Sequence, residues 1–418
     1  MKAAWKAGGV EGCRGLLEEK RDAWKNVPLD VAVIGKSGVG KSSFINSIRG
    51  LTADDVELGA AAVGVKETTL EIRSYQHPDN PMLKFWDLPG LGTNVFPRST
   101  YLSDIDVDRY DFFLLMTADR FFENDTWLGK EIRGRNKKYF FVRTKIGLDI
   151  SNDRQAHPRT HNEDAVIDEI RCSTQDHLRK DGCGDVPVFL VDNYEHNKYN
   201  EFEKLKQQII EDFPELKRSA LIFSLQSTSE EMIRVKVAEL RSRIWKCAAL
   251  SAAGAAVPFA PGLSVAIDLG IITHEAIFYF RQLGLDSSSL KRCAMLHSLD
   301  HVKLQSIVTA ALGVRAAGAI TFETMKSILE ILLPRLVPLA AAAAVEEGTR
   351  LFIPLIGSLI AAPLSFGGTY FALKLILDKF EKAALEVMKF VAGSIGVAEE
   401  DAAEKFEDTE DDDARLLD

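Results

Sequence analysis

The residues with the clearest capacity for chemistry are Gly35-Lys36-Ser37-Gly38-Val39-Gly40-Lys41-Ser42, which fit the spacing G-x-x-x-x-G-K-[ST]. They follow the apolar run 31–34 and precede Ser43-Phe44-Ile45-Asn46-Ser47-Ile48, so the pattern predicts a strand, a loop and a helix. Gly35, Gly38 and Gly40 permit positive φ, which lets successive backbone amides turn inward around a phosphate. The helix that follows adds the positive end of its dipole. Lys41 brings an ammonium to the β- and γ-phosphates, and the Ser42 hydroxyl is an oxygen ligand for Mg²⁺. Residues 35–43, through Ser43, are therefore the expected phosphate-binding stretch.

A second element stands 46 residues after Lys41, where Lys84-Phe85-Trp86-Asp87-Leu88-Pro89-Gly90 ends an apolar run with Asp-x-x-Gly. Asp87 is suited to hold Mg²⁺ through water, and the Gly90 amide to meet a γ-phosphate. Between the two elements lies a Gly/Ala-rich loop, 51–69, ending Lys66-Glu67-Thr68-Thr69. A threonine there can complete a magnesium shell when a γ-phosphate is present, making the loop a switch. Thr69 is favoured slightly over Thr68; alternatively both simply open the next strand. The expected catalytic groups are Lys41, Gly90 and Thr69, and the expected metal ligands Ser42, Thr69 and Asp87.

These residues need a frame. Apolar runs at 31–34, 70–75, 83–87, 112–117, 139–143 and 188–192 alternate with helix-length polar stretches, which predicts an α/β domain around a mainly parallel sheet. The run at 70–75 follows a loop, so an antiparallel edge strand is expected there. After Phe223 the pattern is helical: Ile233, Val237, Leu240 and Ile244 fall on one stripe, as do Ile376, Phe380, Ala384, Val387 and Val391. Ser227 with Glu230 and Thr228 with Glu231 are spaced as capping boxes. Residues 29–224 are thus expected to form the α/β domain and 225–398 an all-helical one, with 1–28 adding a helix to the latter.

Composition excludes several classes. With 51 Lys+Arg against 61 Asp+Glu the formal net charge is −10, and eleven acids against Lys405 and Arg415 put nine of those charges in residues 399–418. The body is near neutral, so no basic field recruits nucleic acid, and the tail is expected to be solvated and disordered. Five scattered cysteines without a C-x-x-C pair imply reduced thiols in a cytosolic protein. No apolar signal core opens the chain, and Lys2 stands where N-myristoylation needs glycine. His157 and His161 share a helical spacing but lack a third ligand.

With these stretches together, the chain resembles the immunity-related (interferon-inducible) GTPases, in the subgroup with an ordinary lysine in Gly40-Lys41-Ser42. The likeness extends through VGVKETTLEIRSYQHPDNP (63–81), FWDLPGLGTNVFPRSTYL (85–102), YDFFLLMTADRFFENDTWLGKEI (110–132), KKYFFVRTK (137–145) and the helical stretches 239–271 and 355–379. The resemblance implies a P-loop GTPase domain beside a helical domain built from both chain ends. It further implies a Mg²⁺-dependent, dynamin-like GTPase of cell-autonomous innate immunity that binds GTP and GDP. Self-association through the GTPase domain is implied as well, as is cytoplasmic, peripheral attachment to membranes of the endoplasmic reticulum, Golgi or pathogen vacuole.

One departure concerns the base. Guanine readers of this kind use [NT]-K-x-D, but here Thr144-Lys145-Ile146-Gly147 is followed by Leu148-Asp149, so Gly147 stands where the reading Asp belongs. Losing that charge-assisted contact costs about 2–4 kcal/mol, a factor of ~30 to ~1000. Thr144 and Lys145 keep their places, Asp149 could rescue recognition through a shifted loop, and Asp192 and Asn193 form the expected base-supporting loop. Leu91 follows the Asp-x-x-Gly where many small GTPases place a water-orienting Gln, so loop backbone or a second subunit must orient the water. The alternative is a nucleotide-gated binding or scaffold protein with weakened guanine selectivity and little hydrolysis. Two uncharged stretches, 247–267 and 351–373, are long enough to span a bilayer but carry Pro and Gly throughout. Buried helical hairpins are favoured over conditional insertion, and both over permanent spanning.

Overall fold

The six apolar runs become the six strands of a single sheet: β1 (Leu29–Gly35), β2 (Arg73–His77), β3 (Asn80–Leu88), β4 (Phe112–Thr117), β5 (Lys138–Arg143) and β6 (Val188–Leu190). The structure, a computed structural model, describes residues 2–64, 71–91, 96–194, 201–255, 261–313 and 362–414. Strand order is β2-β3-β1-β4-β5-β6. Only β2 runs antiparallel, against β3, while β3-β1-β4-β5-β6 are all parallel. All six residues of β4 are buried, as expected of a parallel strand covered on both faces. The β2 edge starts at Arg73, later than the apolar run suggested, and residue 70 lies outside the described residues.

Residues 24–226 form one unit. Around its sheet lie α2 (Lys41–Ile48), α3 (Tyr101–Asp104), α4 (Glu123–Gly134), α5 (Ile146–Ala156), α6 (Glu163–Lys180), α7 (Phe202–Asp212) and α8 (Glu215–Ser224). One face packs Phe113, Phe121, Phe141, Tyr101 and Tyr110 into a continuous core. On the other, Phe112 lies 4.9 Å from Phe140 and 5.7 Å from Phe213, and Phe44 of α2 lies 5.3 Å from Phe202 of α7. These tilted and edge-on ring contacts fix α2, and with it the phosphate loop, to the sheet.

The second unit joins residues up to 23 with those from 227 onward. It contains α1 (Lys2–Asp22), α9 (Glu230–Ala255), α10 (Pro261–Gln282), α11 (Ser287–Leu296), α12 (His301–Leu312) and α13 (Ala362–Ala414). Ile233, Val237, Leu240 and Ile244 are all buried, as are Ile376, Phe380, Ala384, Val387 and Val391, which makes both stripes core faces. The α9 cap is neither of the expected boxes. Ser229 Oγ accepts from the Met232 amide at 3.1 Å, while Ser227 Oγ donates to the Gln282 carbonyl at 2.8 Å. The acidic tail also differs from expectation, since α13 stays helical to Ala414; Ala and Glu, abundant there, are strong helix formers.

The stretch 247–267 is divided between the end of α9 and the start of α10, and 256–260 lie outside the described residues. Of 351–373, residues 351–361 likewise lie outside, and the rest begins α13. Among the described residues no helix is long and apolar enough to cross a membrane.

One buried charge cluster binds α1 to α9 and α10. Arg243 grips Glu275 with Nε at 3.0 Å and Nη2 at 3.1 Å, and reaches the Arg21 carbonyl at 2.5 Å and Asp22 Oδ1 at 3.1 Å. Glu275 is fully buried. Burial pushes its carboxyl up, but hydrogen bonds from His274 and Arg243 and the arginine charge outweigh that and hold it below the ordinary range. In Asp22, bonds and charge from Arg21 and Arg243 overcome the same burial effect and leave a pKa of about 2. Glu275→Ala strands a buried guanidinium and should cost about 3–5 kcal/mol, measured by chemical denaturation. Both folded carboxyls titrate below their unfolded values of 4.5 and 3.8. Their contribution is therefore whole above about pH 5 and is lost as the pH falls toward 2. Wild-type stability should decline across that window, and the decline should be shallower in Glu275→Ala.

Candidate functional site

The candidate site lies at the carboxyl ends of β1, β3, β4, β5 and β6, where parallel sheets place their ligands. β1 ends in Gly35, and Lys41 opens α2 after a turn in which Gly38 has φ 79° and Gly40 φ 90°. Gly35 serves differently from the expectation of positive φ. A Cβ there would stand 2.4 Å from the Met116 carbonyl oxygen of β4, so glycine is required for room.

The loop's carbonyls are tied down from several directions. Lys41 Nζ donates to the Gly35 carbonyl at 2.9 Å and to that of Lys36 at 3.2 Å. The Val39 carbonyl takes the Thr144 hydroxyl at 2.7 Å, and that of Gly40 takes Asn193 Nδ2 at 3.1 Å and the Phe44 amide at 2.9 Å. Carbonyls held this way leave the opposite edges of the peptide planes, the N–H edges, to form the hollow of an anion nest. The first amides of α2 have no carbonyl to bond within their own helix and add to that supply. Lys36 and Ser37 are exposed on the rim, with Lys36 Nζ 3.0 Å from the centroid of the Phe122 ring.

Beside the nest, Ser42 Oγ donates to Asp87 Oδ2 at 3.1 Å, and Asp87 Oδ1 is 3.9 Å from Lys41 Nζ. Lys41 and Asp87 are both buried. A hydroxyl and a carboxylate meeting at a phosphate nest are the hard oxygen donors that suit Mg²⁺, so these residues fit that ion. Gly90 crosses the loop at contact distance: a Cβ there would lie 3.0 Å from the Gly35 oxygen and 3.1 Å from Lys36 Cα. Its turn is anchored by the buried Tyr101, whose hydroxyl donates to the Pro89 carbonyl at 2.7 Å. Leu91 packs into the hydrophobic core beneath, so its side chain has no route to an attacking water. Thr68 and Thr69 lie outside the described residues.

The β5 and β6 loops close the other side. Thr144 is fully buried beneath Val39. Lys145 follows it in the left-handed region, φ 61°, and is exposed. Gly147 lies in the first turn of α5. Asp149 is turned away, its Oδ2 2.6 Å from Arg143 Nη2, so the ion pair engages the carboxylate that a shifted loop would need. Burial pushes its carboxyl up and Arg143 draws it back. Asp192 accepts from the Gly147 amide at 3.3 Å and from the Tyr194 amide at 2.9 Å. Tyr194 in turn bonds Ser43 Oγ at 2.7 Å.

Several supports were not read from the sequence. Asn46 clamps the 51–64 segment by bonding both the amide and the carbonyl of Ala61, at 2.6 and 2.8 Å. The buried Arg49 donates to the Gly59 and Gln76 carbonyls. Polar residues on the core side of a short helix were the available signal. His157 and His161 both bond Asp153, at 2.8 and 2.7 Å, and among the described residues no cluster of three or more His, Cys, Asp or Glu could hold a metal.

The sequence pattern of the interferon-inducible GTPase family matches residues 2–337. Interferon-inducible GTPase 5 of Rattus norvegicus is 34% identical over 387 residues, 93% of this chain and 81% of the relative. Interferon-inducible GTPase 1 of Mus musculus is 37% identical over 292 residues, 69% of each. T-cell-specific guanine nucleotide triphosphate-binding protein 2 of Mus musculus is 37% identical over 270 residues, 65% of this chain and 64% of the relative.

Gly35→Ala should displace the end of β1 from β4 and abolish nucleotide binding with a lowered melting temperature. Lys41→Ala removes the ammonium and its bonds to the Gly35 and Lys36 carbonyls but fills no space, so it should weaken triphosphate binding at least about tenfold with a smaller loss of melting temperature than Gly35→Ala. Calorimetric titration beside thermal denaturation separates the two outcomes.

Proposed function

The chain belongs to the interferon-inducible GTPase family, and from that premise we propose that it binds GTP and GDP at the β1–α2 loop and hydrolyses GTP in cell-autonomous immune defence. The observation that carries this reading is the meeting of Lys41, Ser42 and Asp87 over a loop whose Gly35, Lys36, Val39 and Gly40 carbonyls are engaged elsewhere. Phosphates occupy the nest, and Lys41 exchanges its bonds to the Gly35 and Lys36 carbonyls for the more strongly charged β/γ oxygens. Gly90, crossing the loop at contact distance, presents its amide to the γ-phosphate. Ser42 and Asp87, with Thr69 ahead of β2 in sequence, are the residues that would hold Mg²⁺. Bound there, the ion would supply charge neutralisation for the phosphates.

Orientation of the attacking water is the missing function, because Leu91 is committed to the core. A group from a second copy, or loop backbone, must supply it. We further propose self-association through the sheet unit and action at the cytoplasmic face of intracellular membranes of the endoplasmic reticulum, Golgi or a pathogen vacuole. Nucleic acid has no part in this reading. Single-turnover hydrolysis measured over several protein concentrations should show a rate per molecule that climbs with concentration and vanishes when divalent ions are chelated. A flat, near-zero rate at every concentration would favour a nucleotide-gated scaffold instead.

A further inference from the structure

The loop after β5 presents no side chain at position 147, where a guanine-reading carboxylate would stand, yet a carboxylate is present beside it. We propose that Asp192, in the loop after β6, reads the guanine base in place of the absent aspartate at 147. This inference rests on the reading of the site as one for guanine nucleotides and assigns the group that gives it base selectivity.

The placement is specific. Asp192 Oδ2 lies 3.3 Å from the Gly147 amide, so its carboxylate sits against the backbone from which the usual reader would project. Oδ1 is held by the Tyr194 amide at 2.9 Å. These two bonds orient both oxygens. Guanine presents two adjacent donors on one edge, N1–H and the 2-amino group, and a single carboxylate can take both. Asp192 is only 8% exposed, and a charge-assisted bond made there is strengthened by the scarcity of water.

The neighbouring candidates are committed elsewhere. Asp149 is paired with Arg143 at 2.6 Å, and two residues along a helix amount to a turn of about 200°, which points it away from position 147. Thr144 is bound to Val39, and Asn193 Nδ2 to the Gly40 carbonyl. That last bond matters to register. Asn193 ties the residue next to Asp192 directly to the phosphate loop, so a nucleotide with its phosphates in the nest has its base between Lys145 and the loop that carries Asp192.

The test uses the full chain and a panel of GTP, ITP, XTP and ATP. The wild type should prefer GTP to XTP, with ITP, which lacks the 2-amino group, between them. Asp192→Asn should lose about 30-fold or more in GTP affinity and gain XTP affinity, because an amide can donate to the 2-oxo group that a carboxylate repels. Gly147→Asp added to Asp192→Asn returns a carboxylate to the usual position and should restore the preference for GTP. The GTP-to-XTP ratio within one variant does not depend on the fraction of protein that is folded, so a destabilised sample does not mimic the effect. A wild-type ratio that survives in Asp192→Asn, or equal binding of GTP and XTP by the wild type, overturns the assignment while leaving nucleotide binding intact. Failure of the underlying reading looks different: no nucleotide of any base binds, or Lys41→Ala binds GTP as the wild type does.

Discussion

The site depends on which edge of a few peptide planes faces outward. The carbonyls of Gly35, Lys36, Val39 and Gly40 are each bonded within the protein, by Lys41, Thr144, Asn193 and the α2 backbone. That arrangement commits the acceptors and reserves the donors, and donors are what a polyanion requires. It holds only because β1 and β4 approach so closely that a methyl at position 35 would strike the Met116 carbonyl. Lys41 has two employments in this scheme, as an internal tie for two carbonyls and as the cation next to Asp87. The loop is thus organised before any ligand arrives, which lowers the ordering cost of binding.

The same network gives the base loops their positions. Thr144 and Asn193 come from the ends of β5 and β6, yet both terminate on the phosphate loop. Departures from the family's motif therefore occur within a frame that is already fixed. Gly147 removes a carboxylate, and the frame sets the Asp192 carboxylate against the Gly147 amide. Leu91 removes a polar side chain and spends its volume on packing. Neither change touches the β1–α2 loop, whose order depends on its backbone bonds and on Lys41.

Much of this was legible in the amino-acid sequence where the information is local. The phosphate loop, the Asp87–Gly90 turn and the parallel strands follow from spacing and apolar runs within a few residues. Pairings set by strand adjacency were not legible. Gly147 and Asp192 are 45 positions apart, and nothing in either segment announces that β5 and β6 are neighbours. The role of Gly35 was misread for a similar reason, since its constraint comes from β4 rather than from its own dihedral. Arg143 could not be assigned to Asp149 without knowing that the strand's last side chain turns back toward α5. At the α9 start several Ser/Thr residues crowd together, and only the helix's first hydrogen bonds select Ser229. The acidic tail was judged by charge, whereas Ala and Glu content decided its conformation through residue 414.

The buried arginine of the helical unit has a bearing on biosynthesis. Its bond to the Arg21 carbonyl joins residues 222 positions apart, with the whole sheet-containing unit encoded between them. At roughly 5–20 residues per second the ribosome needs some tens of seconds to cover that distance. The amino-terminal helix is therefore synthesised long before its partners exist, while residues 24–226 emerge as a continuous stretch able to fold in order. The bond between residues 21 and 243 can form only after the entire intervening unit has been made.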